Sequence, residues 1–192
     1  KESLRSVPQI VHRRLEYTLD SMGRRALVKL SQGSSGNWQL VSNRRYLVNH
    51  LQMLAELDAL ANRVTRAYIW GLDLSATRTG AGGVSGLLLL DFRTAHAPGA
   101  HVSSFDGQGN TMALFETAKG IASAQYEYDP FGGTLRLSGS AVRLNSLGFS
   151  TKPTEPETGH VHYEYRDYRP TVGAWLNRDL LLEAGGVHLY GF

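Results

Sequence analysis

Bulky residues at every second position, interrupted by aspartate–glycine turns, limit this chain more than any other feature. Leu15, Tyr17 and Leu19 alternate with Glu16 and Thr18, and Tyr126 and Tyr128 flank Glu127. Val161, Tyr163 and Tyr165 alternate with His162, Glu164 and Arg166. Successive side chains of an extended strand point to opposite faces, so each run gives a sheet one bulky and one polar side. Turn signals separate the runs at Asp20-Ser21-Met22-Gly23, Asp106-Gly107-Gln108-Gly109-Asn110, Asp129-Pro130-Phe131-Gly132-Gly133 and Glu157-Thr158-Gly159. Aspartate closes a turn onto the backbone two residues on, and glycine supplies positive φ. Strand, tight turn, strand is the recurring unit, so the expected fold is all-β, a meander of consecutive β-hairpins.

Composition agrees. Charged residues are 19% of the chain, Gly numbers 21, and nine Tyr stand against six Phe, a balance that suits a turn-rich sheet better than a helical bundle. One segment is ambiguous. Leu51 to Leu60 is rich in helix formers but lies between strand-like Arg45–Val48 and Val64–Trp70, so helix and strand pair both remain open. The glycine-rich stretch from Gly71 to Gly86 divides the chain, either as a flexible joint or as a long functional loop. Leu87 to Asp91 after it has the character of a buried strand.

The net charge is only +3. The basic pairs Arg13-Arg14, Arg24-Arg25 and Arg44-Arg45 are dispersed among acids, so they are expected on a solvated surface and no nucleic-acid partner is expected. The absence of cysteine excludes disulfides, thiol nucleophiles and Cys-based zinc sites. The first fourteen residues lack the apolar region of a signal peptide, and the longest apolar run, Leu87 to Leu90, is too short to span a bilayer. The abrupt ends suggest a fragment.

Several segments resemble the Rhs/YD-repeat family. Tyr17-Thr18-Leu19-Asp20-Ser21-Met22-Gly23-Arg24 is similar to the YD repeat, whose core is Tyr-Asp-x-x-Gly-Arg preceded by another aromatic. Arg45 to Asn49 with Ala55 to Leu57 looks like a decayed copy, and the segments around Phe105–Asn110 and Tyr126–Gly132 are closer ones. The C-terminal third follows the order of the Rhs-repeat-associated core. It has Phe149-Ser150-Thr151-Lys152, Glu157-Thr158-Gly159, Tyr163-Glu164-Tyr165-Arg166-Asp167-Tyr168, Gly173-Ala174-Trp175, Arg178-Asp179 and Gly185 to Phe192. Trp70 to Ser75 also looks like this family.

The resemblance implies a division into degenerate repeats over 1–70, a connection over 71–86, repeat hairpins over 87–148 and a core segment over 149–192. It implies that the hairpins wind into one curved, spiral sheet, a shell plugged by the core segment. The expected role is structural: encapsulation or display of a C-terminal toxin or variable segment. The implied partners are that intramolecular cargo and neighbouring repeats. The implied location is secreted or at the cell surface, an inference by analogy alone.

In some members of the family the core cuts its own chain with two aspartates, which share one proton because like charges split their pKa values. Arg166 and Asp179 match the family's arginine and first aspartate, while the second aspartate and the cut site would lie past Phe192. The resemblance therefore implies half of an aspartyl autoprotease site. The bland alternatives are a buried ion pair or two separate surface charges. Leu180 and Leu182 replace a family Pro and Gly that set a turn, and leucine disfavours such a turn.

Other constellations are weaker. His160-x-His162 could seat a metal but lacks a third ligand, so surface histidines at a strand start are expected. Gly80 to Gly86 imitates a nucleotide loop, yet a strand follows where a helix is required. No serine sits on a nucleophile elbow. Tyr163, Tyr165, Tyr168, Trp175 and Tyr190 could stack on carbohydrate, although aromatics so spaced more often hold a sheet together. No cofactor or metal is expected.

Overall fold

The computed structural model of the chain describes residues 12–34, 36–94 and 97–192. Residues 1–11, which carry most of the signal-peptide argument, lie outside the described residues. Ten strands follow one another: β1 (His12–Leu19), β2 (Arg25–Ser34), β3 (Asn37–Asn49), β4 (Gln52–Asp58) and β5 (Arg63–Trp70), then β6 (Leu87–Phe92), β7 (Gly99–Phe105), β8 (Thr111–Glu116), β9 (Ala122–Tyr128) and β10 (Thr134–Ser138). Each pairs antiparallel with the next, in sequence order, as one ten-stranded sheet. Three short strands, β11 (Val161–His162), β12 (Asp167–Arg169) and β13 (Ala174–Trp175), form a second sheet.

All neighbouring pairs of the large sheet except β6–β7 carry a register shift. An extra residue on one strand bends it and increases its twist, so this repeated irregularity curves the sheet.

The ambiguous segment around Leu51–Leu60 is strand. Gln52–Asp58 pairs with both β3 and β5, and the Asp58 carboxylate accepts from the N–H groups of Leu60 and Ala61 to close the next turn. Ladder bonds on both sides override local helix preference.

One face of the sheet carries the core. Tyr68, Leu87, Leu90, Phe92, Leu114, Ala124 and Tyr126 are buried there, and registry makes neighbours of Tyr68 and Leu90 and of Leu114 and Ala124. The chain beyond β10 returns across this face. Ala141 and Leu147 insert into the core, and the Thr111 hydroxyl donates to Leu147 O at 2.9 Å. The opposite face is open: Ile69, Val102 and Phe115 are exposed. Among the described residues no helix is long and apolar enough to cross a membrane.

The Gly71–Gly86 stretch joins β5 to β6, which are direct neighbours, so it is a loop on one sheet and not a flexible joint. It is fastened at many points. Gly71 N–H donates to Gly86 O, Gln52 Nε2 to Arg78 O, Ser85 N–H to Thr151 Oγ1, and Lys152 Nζ to Gly82 O.

Candidate functional site

The aspartate turns are built alike, and they set the stage for the C-terminal segment. In the turns at Asp20, Asp106 and Asp129, the aspartate N–H donates to the carbonyl four residues on, and the glycine three residues on returns a bond to the aspartate carbonyl. One carboxylate oxygen takes the N–H groups two and four residues on. Asp73 opens the same turn with Ala76 at φ 58 in the glycine position. Its carboxylate also accepts from the Ser75 hydroxyl and from the N–H groups of Ala81 and Gly83. The glycine loop that imitates a phosphate cradle thus wraps its own carboxylate. Burial alone would raise the Asp73 pKa, but these bonds outweigh it and bring it down to about 2.

From Phe149 the C-terminal segment forms an aromatic cluster. Tyr168 is fully buried and donates its hydroxyl to Phe131 O at 2.7 Å. Phe149, Tyr163 and Trp175 surround it, and Phe192 stacks on it with centroids 3.9 Å apart. Tyr163, Tyr168 and Trp175, candidates for sugar stacking, pack on one another; Tyr165 is exposed at 78%. The alternation from Val161 to Tyr165 is not a continuous strand. It breaks after His162 into a turn closed by Tyr163 N–H to Arg166 O, so β11 and β12 form a hairpin.

Arg166 and Asp179 come together. Nη1 of Arg166 lies 2.9 Å from Asp179 Oδ2, and its guanidinium carbon sits 4.2 Å from the Trp175 ring centroid. Both side chains are partly exposed, while Arg166 Nη1 itself is buried. Asp179 Oδ1 takes the Leu181 N–H, and Leu182 N–H bonds back to Asp179 O. The turn expected to be disfavoured forms nonetheless, with Leu182 at φ 51. Asp179 therefore makes part of the turn that Asp20 and Asp106 make, while its own N–H bonds to Leu189 O and its carboxylate faces a guanidinium.

Arg25 and Arg44 depart from the expected solvated surface, while Arg13 and Arg14 stay exposed. Alternate residues of a strand face opposite ways, so one member of a pair can turn inward. Arg44 pairs with buried Glu155 at 2.9 Å, Arg25 with Asp167 at 3.0 Å, and Arg13 with Glu157. His162 is not a surface histidine: Nδ1 lies 2.6 Å from Asp167 Oδ1 and Nε2 contacts Arg25 Nη1. Buried Lys152 is held by Glu164 and its ammonium lies 5.6 Å from the Tyr163 ring centroid. Sequence reasoning missed the arginines' partners because they lie far apart along the chain, 111 to 144 positions away; the arginine doublets were the only signal. Among the described residues no group of three His, Cys, Asp or Glu side chains could hold a metal ion.

Between β1–β4 and the C-terminal segment lies a cavity of about 870 Å³, lined by Tyr17, Met22, Tyr46, Met53, Tyr165 and Leu180 among others.

A bulged sheet of consecutive hairpins thus carries a terminal segment folded on its core face. No family model matches the chain, and no curated protein matches it. Solved structures do. TcdB2-TccC3 matches with a TM-score of 0.67 and 21% identity over 93% of this chain and 8% of that chain. TcdB2-TccC3 without its hypervariable C-terminal region gives 0.66 at the same identity and coverage. The Photorhabdus luminescens Tc holotoxin pore gives 0.58 at 15% identity, over 93% of this chain and 9% of that one. The chain shares the fold of a small part of these much longer chains, in agreement with its sequence resemblance to Rhs/YD-repeat proteins.

Proposed function

We propose that this chain is a wall segment of a shell, with residues 1–70 and 87–148 as wall repeats and 149–192 as the segment that plugs it. One observation carries the reading: ten strands pair strictly in sequence order, and the outermost, β1 and β10, each pair with a single neighbour among the described residues. Such a sheet extends indefinitely by adding hairpins at either edge, and an exposed edge is a template for the next strand. The core-bearing face would line the lumen and the aromatic cluster would close it. The cargo would be a toxin or variable segment of the intact secreted or surface protein.

Protease protection tests this. In the intact protein the cargo segment should survive native digestion and be degraded once the shell is denatured. Native digestion at the rate of the isolated segment contradicts the proposal.

The second reading is an aspartyl autoprotease, favoured by the Arg166–Asp179 pair. Asp179→Asn in the intact protein should abolish the cut; an undiminished cut retires that reading.

A further inference from the structure

The C-terminal segment is attached at its two ends by different forces. Toward β8–β10 the attachment is packed and hydrogen-bonded. Tyr128 meets Phe149 edge-on, Tyr168 bonds to Phe131 O, and the Thr151 hydroxyl donates to Gly109 O at 2.7 Å. Toward β1–β3 it is ionic, through Arg13–Glu157, Arg25–Asp167 and Arg44–Glu155. Neither apolar cluster of the described residues joins β1 or β2 to residues 155–167, and the cavity lies beneath.

His162 sits at the centre of the ionic end. A guanidinium has donors only, so Nε2 must accept from Arg25, and Nδ1 must carry the proton given to Asp167. The contacts fix one neutral tautomer. A proton added at Nε2 sets two donors and two positive charges against each other, while the Nδ1–H bond to Asp167 survives. We propose that His162 is a proton-controlled clasp. Neutral, it ties the β1–β2 arm to the C-terminal segment over the cavity; protonated, it loosens that arm, leaving the Arg13–Glu157 and Arg25–Asp167 pairs to hold it.

The groups facing it are consistent with this. Tyr17 of β1 lies against Arg25, whose guanidinium carbon is 4.0 Å from the ring centroid, so the two strands move together. Arg44 of β3 is bound to Glu155 and adds positive charge on the sheet side. Asp167 of β12 is the partner that stays anionic. Burial raises its pKa, but the hydrogen bond from His162 and the charge of Arg25 bring it below the ordinary carboxylate value. His160, on the same segment, and Arg169 complete the surroundings.

Hydrogen–deuterium exchange on the intact protein tests the clasp at about pH 7.5 and about pH 5.5. After correction for intrinsic rates, protection of β1–β2 and residues 155–167 should fall about tenfold on acidification, the scale of one lost charge-assisted hydrogen bond. Protection of β8–β10 should hold. His162→Gln can accept from Arg25 and donate to Asp167 without titrating, and should show no fall. Arg25→Met should leave the arm loosened to the same extent at both pH values. An unchanged wild-type arm, or a pH response that survives in either variant, overturns the proposal. Because only the arm is read, the result stands apart from whether the lumen holds cargo.

Discussion

Gly23, Gly109 and Gly132 occupy the same place in three aspartate turns, at φ +77, +83 and +83, yet their surroundings differ. A methyl group on Gly23 would meet nothing within 4 Å, whereas on Gly109 it would lie 2.2 Å from Val84 Cγ1 and on Gly132 2.5 Å from the Phe149 ring. Gly23→Ala should therefore cost only backbone strain, about 1 kcal/mol. Gly109→Ala should cost at least about twice that, because the 73–86 loop must move as well. Urea midpoints of the two variants check the order; equal losses would contradict it. Asp73 gives a pH prediction. Its folded pKa lies below its unfolded value of 3.8. Its contribution is therefore complete above about pH 4 and is lost as pH falls through about 2. Asp73→Asn should be less stable at neutral pH and should lose less on acidification; a wild-type-minus-variant difference flat from pH 7 to pH 2 would refute this.

Between elements, long-range ion pairs decide how the C-terminal segment sits. Glu155 is almost fully buried against Arg44. Removing one partner strands the other charge, so Glu155→Leu should cost about 3–5 kcal/mol, and the Glu155→Leu, Arg44→Met double variant should recover most of it. Thermal denaturation of the three proteins measures this; a double variant as unstable as the sum of its parts would count against it. These pairs also mark where sequence reasoning stops. The hairpin turns were legible because each is closed by residues within five positions, as Asp106 to Asn110 shows. The inward arginines were not, since Arg44 finds its partner 111 residues away. The segment around Leu51–Leu60 was ambiguous for the same reason: its helix formers speak locally, while β3 and β5 claim it from either side.

At the scale of the molecule, the proposed function makes these ten strands one stretch of a longer curved wall. The sequence carried this through its resemblance, while register shifts in nearly every strand pair supply the physical means of bending. Arg166 and Asp179, the candidate half-site, lie 2.9 Å apart. A cryo-EM map of the intact protein is the direct test. It should show β1 and β10 each hydrogen-bonded on its outer edge to a further strand, with the 149–192 segment against the inner face. A map in which both outer edges face solvent would contradict the account.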